Sequence, residues 1–139
     1  MEKIDGKTAT LSMLDAHTLL VTMKENEEVD LDAAIENYKI ATHLTKGKRY
    51  ASLVDVRVYV TITDEAKKYA AQPDMYTNVI AQAVVITSLA TRLLANFLIK
   101  FTTYNKDVEM KIFNDYDVAL KWLKEKVAEE QQVSLAENN

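Results

Sequence analysis

The sequence has no cysteine, one proline, two glycines and two histidines in 139 residues. Each scarcity removes a chemistry. Without cysteine there is no disulfide, no thiol nucleophile and no thiolate metal site. With Gly6 and Gly47 alone, neither a glycine-rich phosphate loop nor a G-x-S-x-G nucleophile elbow can be built. Excess charge is scarce too. The 17 basic and 21 acidic side chains leave a formal charge of −4, so the footprint that nonspecific nucleic-acid binding needs is missing. The densest basic run, Lys46, Lys48 and Arg49, straddles Gly47 at an expected helix end. There it complements the helix dipole, with a phosphate patch as the alternative. MEKIDGKTAT holds no apolar core of a signal peptide, so none is expected. The longest apolar stretch, Val79 to Ile99, is broken by Gln82, Thr87, Ser88, Arg92 and Asn96, and an Arg at mid-membrane is costly. The expectation is a cytoplasmic protein without a membrane span. What is present is a globular composition, 48% apolar and 27% charged, at a length that suits one domain.

Hydrophobic periodicity divides the chain. Thr8 to Met13 alternates polar and apolar side chains, His17 to Met23 is β-rich, and Leu14-Asp15-Ala16 between them suits a hairpin turn. Glu25 to Glu28 reads as an acidic loop. Asp30 caps a helix in which Leu31, Ala34, Ile35, Tyr38, Ala41 and Leu44 recur at three- and four-residue steps, and Gly47 stops it. Tyr50 to Val56 has few charges, as a strand covered on both faces should. Arg57 to Thr63 (RVYVTIT) fits either a longer strand or a crossover loop. Thr63 caps a short helix with Asp64 and Glu65 in its first turn, and Pro73 ends it. Val79 to Ile86 (VIAQAVVI) is the most apolar strand. Thr87 or Ser88 caps a long helix carrying Leu89, Leu93, Leu94, Phe97, Leu98 and Phe101. Asp107 to Phe113 is the last strand. Asn114 caps the last helix, with Leu120, Leu123 and Val127 facing inward, and residues 131–139 follow as a frayed polar tail.

The order β-β-α-β-α-β-α-β-α defines the α/β class. Helices between strands imply parallel pairs joined by right-handed crossovers, and the opening hairpin adds one antiparallel edge strand. The expected fold is a five-strand mixed, mostly parallel sheet covered by four helices. No repeat, low-complexity tract or linker marks a boundary, so residues 1–130 form a single domain.

That order resembles STAS domains, the SpoIIAA-like anti-sigma-factor-antagonist fold, and the C-terminal lobe of Sec14-like lipid carriers. Ser52-Leu53-Val54-Asp55-Val56-Arg57 is similar to the strand ending in Asp that precedes the STAS signature loop. Leu93 to Phe101 (LLANFLIKF), Lys111-Ile112-Phe113 and Ala119-Leu120-Lys121-Trp122-Leu123 resemble segments of small bacterial STAS/Sec14-like proteins of uncharacterised function. The likeness covers roughly residues 8 to 127 and implies a regulatory module or a lipid-like carrier. One departure is informative. The family's D-S-S-G, which carries the phosphorylatable serine, falls here on Thr63-Asp64-Glu65-Ala66. Carboxylates replace both serines, the glycine is gone, and Thr61 and Thr63 are the hydroxyls nearby.

Several side chains are candidates for function. Asp55 and Arg57 flank the carboxyl end of a parallel strand, where open α/β sheets collect ligands; an ion pair is the alternative. Thr87, Ser88 and Arg92 combine a helix start with a cation one turn on, which suits either an anion site or a plain cap. Thr61, Thr63, Asp64 and Glu65 form either a cap or a loop presented to a partner. Leu94, Phe97 and Phe101 belong to a helix apolar over most of its circumference, as burial, an apolar ligand or a dimer face requires. Trp122 lies one residue off the inward stripe of the last helix and suits either an interface or a shield at the sheet edge. His17 and His43 sit on different elements with no third ligand, so no metal site is expected.

No cofactor and no catalytic constellation is implied. The first expectation is a non-catalytic STAS-like regulatory module that contacts a protein partner, or a second copy, through Asp55 to Glu65 and Thr87 to Arg92. The alternative is a Sec14-like binder or sensor of a small apolar or lipid-like ligand. No nucleic acid is expected as a partner.

Overall fold

The computed structural model describes residues 2–87, 101, 105 and 107–137. Among these the strands are β1 (Lys3–Asp5), β2 (Ala9–Met13), β3 (Thr18–Met23), β4 (Glu27–Val29), β5 (Tyr50–Val56), β6 (Val60–Ile62), β7 (Val79–Ile86) and β8 (Glu109–Phe113). The helices are α1 (Leu31–Thr45), α2 (Asp64–Ala70) and α3 (Tyr116–Glu137), with a 3₁₀ turn at Pro73–Tyr76. The main sheet has six strands in the order β1-β2-β3-β5-β7-β8. The pairs β1/β2 and β2/β3 are antiparallel, and β3, β5, β7 and β8 run parallel.

The α/β class and the mixed, mostly parallel sheet agree with the sequence, but the strand count does not. The sixth strand is β1, three residues long and too short to show a period. Two further short strands pair with each other in parallel outside the main sheet. These are β4, in the expected acidic loop, and β6, in the ambiguous RVYVTIT segment. Three of the four expected helices lie among the described residues. The expected long helix from Leu89 to Phe101 falls, apart from Phe101, outside the described residues.

Strand order in the main sheet follows chain order. When every parallel crossover has the same hand and the sheet grows in one direction, the crossover helices fall on one face. So α1 and α2 share a face and pack on each other, and α3, which follows β8, covers the other. The two-residue alternation of strands then sorts the side chains. Ala51 and Leu53 of β5 and Ala81, Ala83 and Val85 of β7 pack with Leu123 and Val127 of α3. On the other face Leu11, Leu19 and Tyr50 join Ala41 and Leu44 of α1, together with Tyr76 and Phe101. Trp122 is half-buried with its ring tilted against Phe113 at 5.5 Å between centroids. It shields the β8 edge.

Local chemistry sets the element ends. Ala33 N–H donates to Asp30 Oδ1 at 2.9 Å, and Ala66 N–H donates to Thr63 Oγ1 at 3.2 Å, so both expected caps are in place. The cap of α3 is Asp115 and not Asn114, since Val118 N–H donates to Asp115 Oδ1 at 3.0 Å. The left-handed residue ending α1 is Lys46 at φ 56°, followed by Gly47 at φ 72°. Gly6 turns the chain between β1 and β2, and a Cβ there would sit 2.7 Å from Glu36 Oε1. α3 continues to Glu137, beyond Glu130, where the sequence pattern places the frayed tail.

Candidate functional site

Among the described residues singled out around the end of β5, the side chains are engaged at separate places. Asp55 and Arg57 pair with each other. Arg57 Nε and Nη2 donate to the two carboxylate oxygens of Asp55 at 2.9 and 2.8 Å. The guanidinium also lies 5.3 Å from the centre of the Tyr116 ring, on the α3 side of the sheet. Burial, then the charge of Asp55, pushes the Tyr116 hydroxyl above its ordinary range. Thr63 is engaged as the α2 cap, and Ala66 is buried against Val29 and Ala33. Thr61, Asp64 and Glu65 are exposed. Thr87 is exposed at the end of β7, and Ser88, Arg92, Leu94 and Phe97 lie outside the described residues. Phe101 is fully buried, edge-on to Tyr76 at 4.7 Å, and so presents no outer face. His43 lies 3.3 Å from Glu2 Oε1, and His17 lies 3.0 Å from the Gln131 side chain, at separate places. Of the basic run, Arg49 donates to the Thr77 carbonyl at 3.1 Å and pairs with Glu130.

The prominent feature is a cavity of about 240 Å³, partly open to solvent, between the sheet and the α1–α2 layer. Its origin is a size mismatch. α1 turns Ala34, Asn37, Tyr38 and Ala41 toward the sheet, an i, i+3, i+4, i+7 face with alanine at both ends. α2 adds Ala66 and Ala70. The strands opposite offer Val54, Val56 and Val84. Over that part of the lining alanines of the helices meet valines of the strands, beside larger side chains such as Leu11, Met23 and Met110. On the other face the alanines of β5 and β7 are met by the larger Leu123 and Phe113, and that side is filled. Val54 reports the difference. It sits on a central strand, yet it remains partly accessible, whereas its neighbour Leu53 is 0% exposed.

Polar groups in the wall are few. Ser52 and Gln82 face each other across β5 and β7. Burial pushes the Tyr50 hydroxyl up to about 12 and the Tyr76 hydroxyl higher still, the latter partly offset by a hydrogen bond with Gln82. Both therefore stay neutral. Tyr38 and Tyr69 stack edge to face at 6.4 Å in the roof. Asn37 Nδ2 donates to Thr8 Oγ1 at 3.2 Å, and its Oδ1 is buried with no hydrogen-bond partner among the described residues. Lys67 is the one charged side chain among the described lining residues. Nothing in the periodicity separated these positions from an ordinary packed core. The signal available was the alanine content of the inward faces of both helices.

Fold and cavity together define an α/β protein with a six-strand mixed sheet wound in one direction and an apolar chamber under its crossover helices. The family model described as "Domain of unknown function (DUF7793)" matches residues 13–127. The chain belongs to that family. No curated protein and no solved structure matches it. No helix among the described residues is long and apolar enough to cross a membrane.

Proposed function

We propose that this domain is a non-catalytic binder of a small apolar ligand, held between the sheet and α1–α2. The observation that carries the reading is the cavity of about 240 Å³ with an almost wholly apolar wall. A partly open chamber leaves its apolar wall facing water, at a cost of about 25 cal/mol per Å² of that wall. A ligand that fills it recovers contacts the helices cannot make. Ligand sites in α/β proteins are concave and apolar, with few polar groups. The scaffold is read as the one shared by STAS domains and Sec14-like carriers. The parallel strands with an antiparallel edge support that kinship, and the chamber favours the carrier use. Native mass spectrometry of the purified chain, with solvent extraction of what it carries, is the test. A stoichiometric apolar adduct is expected. Absence of any adduct, together with no saturable uptake of added apolar probes, overturns the reading.

A regulatory protein-contact role, the STAS-like use of the scaffold, is the second reading. It is favoured by Tyr59, an aromatic side chain left 64% exposed between β5 and β6, beside exposed Thr61, Asp64 and Glu65. A photo-crosslinker placed at position 59 should then trap one defined partner in cells, and a diffuse pattern of products would sink it.

A further inference from the structure

We infer that the ligand of this cavity is an amphiphilic anion, with an apolar part of about ten carbon atoms in the chamber and its head group at Lys67. The inference rests on the ligand-binding reading and adds size and charge to it.

Size follows from volume. A dry cavity of about 150 Å³ accommodates benzene, with six carbons, which is roughly 25 Å³ per carbon. At that ratio the 240 Å³ here takes about ten carbons. The two tails of a membrane phospholipid exceed this severalfold. A single chain or small ring system of eight to ten carbons does not.

Charge follows from the wall. The chain as a whole is acidic, at −4. Yet the described lining holds no carboxylate and one cation, Lys67. That side chain is half-buried and takes part in none of the ion pairs of the described residues. Asp64 and Glu65, in the same helix, are exposed. The bland account of Lys67 is a stem laid along apolar surface with its ammonium in water. That account predicts no preference among head groups. An ammonium without an ion-pair partner, on a lining otherwise uncharged among the described residues, predicts attraction of anions and rejection of cations.

The test is titration of the whole, ligand-stripped protein with decanoate, decanol and decyltrimethylammonium, each below its micelle concentration, by calorimetry and native mass spectrometry at pH 7. Decanoate should bind about tenfold more tightly than decanol, and the trimethylammonium should bind more weakly than decanol. Lys67→Met should bring decanoate down to the affinity of decanol. Lys67→Arg should retain the preference. Hexadecanoate should gain nothing over decanoate. Equal binding of decanoate and decanol in the parent protein, or an unchanged preference in Lys67→Met, overturns the assignment of the head group while the cavity reading stands. A rise in affinity from decanoate to hexadecanoate overturns the size. Failure of all these probes to bind, with no adduct from cells, overturns both readings together.

Discussion

Val54 and Leu53 are neighbours on β5, but only one of them should accept a larger side chain. Val54 faces the chamber and Leu53 faces α3, at 0% exposure. Val54→Phe adds four carbons, roughly 100 Å³ at about 25 Å³ per carbon, which fills a little under half of the 240 Å³. Recovered cavity volume is worth about 24 cal/mol per Å³, an upper bound near 2.4 kcal/mol. Ordering the new ring costs about 1 kcal/mol, so a net gain of about 1–2 kcal/mol remains. For a domain of this size that raises the thermal midpoint by about 3–8 °C. Leu53→Phe meets a filled face and should cost about 1–3 kcal/mol through overpacking. Both variants are compared with the parent after any ligand has been stripped, because a ligand in the chamber would stabilise the parent and Leu53→Phe but not Val54→Phe. Calorimetry and urea titration supply the numbers, and Val54→Phe should also lose uptake of decanoate. If Val54→Phe destabilises as much as Leu53→Phe, the chamber is not free volume and the reasoning built on it fails.

Other consequences can be checked in the same assays. Tyr50 has its hydroxyl raised to about 12 by burial, against an ordinary value of 10.0, and Tyr76 is raised in the same way. These groups hold their protons more tightly folded than unfolded. Their contribution is therefore intact below pH 10 and is lost as pH rises toward 12, by about 3 kcal/mol for Tyr50 alone at 1.36 kcal/mol per unit. Absorbance titration at alkaline pH should show these two tyrosines ionising only as the fold is lost, and early titration of all seven tyrosines would contradict the burial. Thr63→Ala and Asp30→Ala each remove a helix cap and should cost about 1 kcal/mol in urea titration. Arg57→Ala leaves the Asp55 carboxylate, 12% exposed, without its cation, so the loss should be about 1–3 kcal/mol. Decanoate affinity should not change in that variant, since the pair lies on the far side of the sheet. A marked loss would move the site to β5's end.

Legibility in the sequence followed length and contrast. β5 and β7 are mostly apolar runs of seven and eight residues, so their ends could be read from the sequence. β1, β4 and β6 span three residues each, less than two periods of alternation, and no pattern can mark them. Asp115 and Asn114 are both good caps, and which one serves depends on where the chain leaves β8. The pairing of Asp55 with Arg57 was one of two readings, because an i, i+2 spacing at a strand end puts both side chains on one face. The chamber was not legible. Ala34, Ala41, Ala66 and Ala70 look like ordinary helix formers until the strands opposite are known to carry valine. A cavity belongs to pairs of faces, and periodicity reports one face at a time.

The strand order carries a consequence for how the molecule assembles. Each strand of the main sheet pairs with the strand next to it in the order of synthesis, apart from the short β4 and β6. Contacts are therefore local for an α/β chain, and the sheet can grow one strand at a time, which favours rapid folding. The α3 face has a different history. Until residues 116–137 dock, Ala51, Leu53, Ala81, Ala83 and Val85 form an uncovered apolar surface. A chain halted before α3 would carry its apolar chamber and a sticky back together, so aggregation during synthesis should be the hazard to which this topology is most exposed.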